Sequence, residues 1–139
     1  MRLNVQAFVF TVNPHFEVLI LKRTPERSGY WQPVSGGIEK GEEPEAAVIR
    51  EVTEETGIRT VKRVINLDYA FSYKEPKNGV LMDMQDFCFA VEIDALQDVH
   101  LSDEHEQYKW CSYEEAKQWL KWEHNLVALD KLKEIVGTA

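Results

Sequence analysis

The chain has 139 residues, enough for one domain of ordinary size over residues 1–139 and too few for a second. An apolar fraction of 44% with 29% charged residues excludes a disordered or collagen-like polymer. A net charge of −8 disfavours a partner held by the backbone charge of duplex nucleic acid, and means that an anionic ligand needs a cation beside it.

Met1 to Thr11 is largely apolar, lacks the layout of a signal peptide, and predicts a first strand. Asn13-Pro14 marks a turn, and Phe16 to Leu21 predicts a second strand paired to the first as a hairpin. Lys22 to Gly29 is polar loop, and Tyr30-Trp31-Gln32-Pro33 leads into a short extended piece ending at Ser35-Gly36-Gly37. Pro44 suits a helix's first turn and Gly57 its stop. Between them Ala46, Val48, Ile49 and Val52 form the expected apolar side of a helix.

Val61 to Tyr73 and Val80 to Ile93 predict paired central strands joined by a loop from Lys74 to Gly79. Gln107 to Trp110 predicts a short last strand, followed by two helices over Tyr113 to Lys121 and Trp122 to Val136, or one interrupted helix, and a frayed tail from Gly137 to Ala139. The fold class is α/β, a mixed sheet between helices. No apolar run is long enough to span a membrane. Cys88 and Cys111 are too few for a disulfide scaffold and read as small buried residues, so the expected setting is reducing and cytoplasmic. An exposed edge at the first strand would permit a homodimer as readily as a monomer.

The chemistry concentrates between Glu39 and Glu55, where seven glutamates face one lysine and one arginine. At ~100° per residue, Glu51, Glu54 and Glu55 share one helix face, which this reading sets opposite Ile49 and Val52. Clustered carboxylates raise one another's cost of ionisation and call for a compensating cation, for which hard oxygen ligands suit Mg²⁺ or Mn²⁺. The preceding Gly36-Gly37 allows close backbone approach to a metal or phosphate.

The spacing of Gly36, Glu42, Arg50, Glu51, Val52, Glu54, Glu55, Gly57 and Ile58 resembles the Nudix box at every specified position over 23 residues. That resemblance implies a Nudix fold and metal-dependent hydrolysis of a nucleoside diphosphate linked to another group. It implies that Glu54, Glu55 and Glu51 hold or organise metal, with the Ser35 or Gly36 carbonyl contributing, and that Arg50 positions a glutamate. Glu42 then orients the loop and helix. The base that takes water's proton is Glu54 or Glu51, with a loop glutamate outside the box as rival.

Trp31-Gln32-Pro33-Val34-Ser35-Gly36 and the run from Leu101 to Trp110, followed by Tyr113, Ala116, Leu120, Trp122, Asn125 and Ala128, resemble the branch of dihydroneopterin triphosphate and dATP pyrophosphohydrolases. The resemblance implies that Glu104 adds an acidic group to the metal centre from a loop, a place that its neighbours Asp103 and Glu106 could also take. The same residues read structurally as a solvated acidic loop with Asp103 and Glu106, and His105 as a packing or hydrogen-bonding residue. Lys22 and Arg23 offer cations for a phosphate or simply end a strand. Tyr30 and Trp31 offer a stacking surface or ordinary core. Phe71, Tyr73 and Phe87 read as core, and Trp110, Trp119 and Trp122 as helix-docking residues.

The function expected is Mg²⁺-dependent cleavage of a small-molecule triphosphate to the monophosphate and pyrophosphate. The alternatives are another Nudix substrate (an oxidised nucleotide, a dinucleoside polyphosphate or a nucleotide sugar), a nucleotide sensor without turnover, and an acidic structural domain.

Overall fold

In the computed structural model, which describes residues 1–137, β1 (Arg2–Thr11) lies inside a seven-stranded mixed sheet. It runs parallel to β6 (Val80–Glu92) from Arg2 opposite Met84 to Phe10 opposite Glu92. Its other side is shared. The start, Asn4 to Ala7, pairs with β4 (Val34–Gly37), and the end forms the hairpin with β2 (Glu17–Arg23). The edge expected at the first strand is therefore corrected. Val5, Ala7 and Val9 are buried in one core and Phe8 and Phe10 in another, and a strand covered on both faces belongs in a sheet's interior.

Beyond β2 lie β3 (Trp31–Gln32) and β7 (His105–Cys111), the latter two residues longer at its start than predicted. At the far side β5 (Arg63–Lys77) pairs with β6 and ends the strand order, so only β6 of the predicted central pair is central. The connection between them is shorter than the loop expected. Strand pairing continues to Lys77 opposite Val80, and only Asn78 and Gly79 turn, with φ of 51° and 78°. Two residues with positive φ form the hairpin turn whose twist matches the strands. Pro76 is accommodated within β5 because that strand ends the sheet.

α1 (Pro44–Thr56) packs Ala47, Val48 and Val52 on the face of β1 that carries Val5, Ala7 and Val9. α2 (Tyr113–Trp119) and α3 (Glu123–Val136) cover the opposite face, where Ala116, Ala128, Leu129 and Leu132 meet Phe8 and Phe10. Each large apolar side chain so buried contributes about 1.5–3 kcal/mol. Ser112 caps α2 reciprocally with Glu115, in bonds of 3.0 and 3.1 Å. Of the predicted tail, Thr138 and Ala139 lie outside the described residues. No described helix is long and apolar enough to cross a membrane.

The orientation of α1 departs from expectation in a way that shapes the site. Ala46 and Ile49 face solvent, and the buried side comprises Ala47, Val48, Glu51, Val52, Glu55 and Thr56. Glu51 and Glu55 thus share the sheet-facing side with Val48 and Val52 instead of opposing it. Where that side passes beyond the apolar core, Arg50 pairs with Glu51, and Ser102 and His105 meet Glu55, which is why two carboxylates are tolerated there.

Candidate active site

Arg50 organises the start of the site. Its Nε and Nη2 donate to the two oxygens of Glu42, each at 2.9 Å, and Nη2 also reaches the Gly37 carbonyl at 2.8 Å. The fork geometry of a guanidinium matches a carboxylate in this two-bond mode. With the Glu39 amide as a further donor, Arg50 holds the Glu42 carboxyl down to about 2. Arg50 Nη1 donates to Glu51 at 2.8 Å and to Glu54 at 3.4 Å, so one side chain ties both box carboxylates to the glycine strand.

Glu51 is buried and lies against β4. A Cβ placed on Gly36 would fall 2.1 Å from Glu51 Cδ, so the carboxylate occupies the space that glycine leaves. Burial pushes the Glu51 carboxyl up to about 7 against the pull of Arg50. Glu55 is more deeply enclosed. Ser102 Oγ is 3.0 Å from each of its oxygens, and His105 Nδ1 lies 2.8 Å from Oε2. Burial opposes its charge, but His105, Glu104 and Ser102 outweigh that penalty and hold the carboxyl below its usual range. Glu104 moves the other way, raised by burial and by neighbouring Glu55, while Arg27 approaches it at 3.2 Å. Glu54 is half exposed.

Among the described residues no three acidic, histidine or cysteine side chains converge as a ligand set. Arg50 instead stands between Glu51 and Glu54. The donor chemistry nevertheless suits a hard divalent ion: carboxylates from three positions of one helix, two of them buried, beside a glycine strand whose missing side chain at Gly36 leaves room for the Glu51 carboxylate.

Beside β4 opens a cleft of about 410 Å³, lined in part by Ser35, Gly36, Glu104 and His105 and by the cations Arg2, Arg23, Arg27, Lys74 and Lys77. Arg23 reaches the Tyr30 hydroxyl at 2.6 Å, and both residues line the cleft. Lys22 and Trp31, weighed for the same site, stand elsewhere. Lys22 pairs with Glu106 at 3.5 Å, and Trp31 packs edge-on against Trp119 beside the α2 and α3 core. Alternation along the chain separates Tyr30 from Trp31. Gly37 sits under Arg2, whose Nη2 is 2.7 Å from where its Cβ would be. Cys88 and Cys111 are buried and free.

Several cleft residues escape the sequence reading. Phe71 and Tyr73, read as core, line the cleft with Trp122 and His124, and the His124 ring stacks on Phe71 at 3.8 Å between centroids. The floor is a buried polar network. Asp86 accepts from Asn4 Nδ2 at 2.9 Å, Gln6 Nε2 at 3.0 Å and the Tyr73 hydroxyl at 3.0 Å, and Asn125 Nδ2 donates to Gln6 Oε1 at 2.9 Å. Burial pushes the Asp86 carboxyl up, while Asn4, Tyr73 and Gln6 draw it back. A signal did exist. On the face of β1 that carries Phe8 and Phe10, the earlier positions are Asn4 and Gln6, polar residues where a core would continue apolar.

The class defined by this fold and this arrangement is a mixed sheet between helices with a glycine strand delivering the chain to an acidic helix. The NUDIX domain family matches residues 2–132, and the chain belongs to that family. An octanoyltransferase of Myxococcus xanthus is 38% identical over 112 residues, 79% of this chain but only 30% of that protein. An RNA pyrophosphohydrolase of Pelagibacter ubique is 36% identical over 70 residues, 50% of this chain and 44% of that protein. The chain thus spans less than half the length of these relatives. Among solved structures, one described as a NUDIX hydrolase from Listeria monocytogenes superposes with a TM-score of 0.79 at 30% identity, covering 96% of this chain and 93% of the other. The E. coli dihydroneopterin triphosphate pyrophosphohydrolase superposes with a TM-score of 0.78 at 23% identity over 93% and 92%, a likeness of fold. These similarities do not separate the dihydroneopterin triphosphate branch from other Nudix relatives.

Proposed function

We propose that the chain is a Mg²⁺-dependent pyrophosphohydrolase that converts a nucleoside triphosphate or dihydroneopterin triphosphate to the monophosphate and pyrophosphate. The observation that carries this reading is the buried Glu51 carboxylate seated in the space left by Gly36, a residue that itself lines a cleft with several cations. Glu51, Glu54 and Glu55 would hold the ion, with the Ser35 or Gly36 carbonyl and Glu104 as further oxygen donors; Mn²⁺ would serve in its place. When bound, the ion supplies charge screening for the phosphate oxygens and lowers the pKa of water.

The chain's own residues do the rest. Arg50 fixes the Glu51 and Glu54 carboxylates relative to β4, so neither must reorganise as charge develops. Arg23 and Arg27 offset phosphate charge from the cleft side. Water's oxygen forms a bond to phosphorus, the phosphoanhydride P–O bond breaks, and pyrophosphate leaves. Water's proton goes to Glu54 or Glu51, with Glu104 as the rival acceptor. His105, buried against Glu55 and Gln32, orients Glu55.

A parallel screen of nucleoside triphosphates, dihydroneopterin triphosphate, ADP-ribose and dinucleoside polyphosphates with Mg²⁺ and product identification tests this. Monophosphate and pyrophosphate from a triphosphate support it. Orthophosphate alone, or turnover of a sugar diphosphate only, contradicts it.

A further inference from the structure

The two glycines of β4 each seat a charged side chain, and the two charges are opposite. Gly36 leaves room for the Glu51 carboxylate. Gly37 leaves room for the Arg2 guanidinium, whose Nη2, Nε and Cζ lie 2.7, 3.2 and 3.3 Å from the position of a Cβ there. Arg2 alternates along β1 with Asn4 and Gln6, and all three line the cleft. Gly37 is paired with Asn4, so the long Arg2 side chain reaches it on the diagonal between the two strands. The box spacing specifies Gly36 and leaves the next position open, so the contact with Arg2 is a separate reason for glycine at 37.

The Arg2 guanidinium has no internal charge to meet. Lys74 pairs with Asp83 at 2.6 Å, Arg27 with Glu104 at 3.2 Å, and Arg23 donates to the Tyr30 hydroxyl. Among the described residues Arg2 pairs with no carboxylate, although Glu75 lines the same cleft and the chain carries a net charge of −8. A cation kept unpaired in an acidic chain, and seated over a glycine, is placed for an anion that comes from outside.

We propose that Arg2 is a phosphate contact of the substrate and that Gly37 is the seat that holds its guanidinium in place. This rests on the reading of the cleft as a triphosphate site. Arg23 and Arg27 approach that site from the end of β2 and the segment after it, and Arg2 adds a cation from β1. A guanidinium offers a fork of N–H donors that matches two phosphate oxygens. Confining it over a glycine removes part of the side-chain entropy that binding would otherwise cost. Successive residues of β4 thereby bring together what a phosphate ester needs: a carboxylate for a screening cation at Gly36 and a guanidinium for phosphate oxygens at Gly37. Arg2 is the binding residue, and Gly37 is a positioning residue that acts through it.

The test is calorimetric binding of pyrophosphate, GMP and guanosine, with Mg²⁺ present, to the full chain and to its Arg2→Ala, Arg2→Lys, Gly37→Ala and Arg2→Ala/Gly37→Ala variants, with thermal unfolding of each. Arg2→Ala is expected to weaken pyrophosphate, GMP or both by about tenfold or more, the scale of a charge-assisted hydrogen bond, and to leave guanosine within about twofold. Arg2→Lys keeps the charge without the fork and should fall between parent and Arg2→Ala. Gly37→Ala should weaken the same phosphate ligand by about threefold or more in the parent and add nothing in the Arg2→Ala background, where the Cβ has no guanidinium to displace. Melting temperatures should stay within about 3 °C of the parent, as for a surface substitution. Unchanged binding of both phosphate ligands by Arg2→Ala overturns the proposal, as does an equal loss for guanosine. An equal cost of Gly37→Ala in both backgrounds overturns the seat. Should Gly37→Ala not fold, the two Arg2 variants decide. Binding of these ligands needs no turnover. Arg2-dependent phosphate binding by a chain that hydrolyses no triphosphate contradicts the proposed activity alone, and full turnover with a parental KM in Arg2→Ala contradicts this inference alone.

Discussion

The Glu51 carboxylate fills the place that a side chain at Gly36 would take, with all three of its carboxyl atoms 2.1–2.4 Å from the position of a Cβ there. Helix and glycine strand are thereby fitted to one another, and the helix residue that needs this fit is a box glutamate. Gly36→Ala is expected to displace Glu51 and to lower kcat/KM by about 10²-fold, the scale of a catalytic group moved by roughly 1 Å. Overpacking should also destabilise the fold by about 1–3 kcal/mol. Steady-state kinetics and urea unfolding read the two effects, and a variant with parental values for both contradicts the fit.

Arg50 and Glu42 give a pH signature. The folded Glu42 carboxyl is held at about 2 against an ordinary 4.5, so its contribution to stability is full above 4.5 and is lost as pH falls toward 2. Glu42→Gln removes that contribution. The melting temperature of the parent should exceed that of the variant at pH 6, and the gap should close between pH 4.5 and pH 2. A gap independent of pH would show that the pair does not titrate as described.

The two cysteines should be silent. Burial, and then the charge of Asp86, pushes the Cys88 thiol up to about 12, and burial with Glu115 pushes Cys111 up to about 11. At pH 8 the folded chain is expected not to react with a thiol reagent such as dithiobisnitrobenzoate, and both thiols to react once denaturant is added. Rapid labelling of the native chain would contradict their burial.

Tyr30 and Trp31, adjacent in sequence, should separate by function. Trp31→Leu removes a ring packed on Trp119 and lies outside the cleft, so it should lower the melting temperature and leave KM within about twofold of the parent. Tyr30→Leu removes the partner of Arg23 within the cleft and should raise KM about tenfold. The reverse pattern would return Trp31 to the substrate site.

Local patterns made much of this fold legible. The start and stop of α1 at Pro44 and Gly57, the first hairpin and the two C-terminal helices all follow from short-range residue chemistry. The box spacing likewise points to the grouping of Glu42, Arg50 and Glu51. The side of α1 that faces the sheet was not legible, because Ile49 and Val52 are both apolar and only the burial of Glu51 and Glu55 tells which one is core. Nor was the cleft floor. Asn4, Gln6, Asp86 and Asn125 come from two strands and a helix separated by up to 121 positions, and only the pairing of β1 with β6 and the docking of α3 bring them together. The length of the β5–β6 hairpin was obscured by Pro76, a loop signal that an edge strand overrides.

The most direct test of the account is pyrophosphate release from a triphosphate by the full chain with Mg²⁺, with Mg²⁺ removed by EDTA, and in the Glu51→Gln and Glu54→Gln variants. The account predicts monophosphate and pyrophosphate in equal amounts from the parent with Mg²⁺, none with EDTA, and a fall of about 10²-fold or more in each variant, the loss typical of a general base or charge-stabilising group. No turnover of any triphosphate by the parent, or parental turnover in both variants, would contradict it.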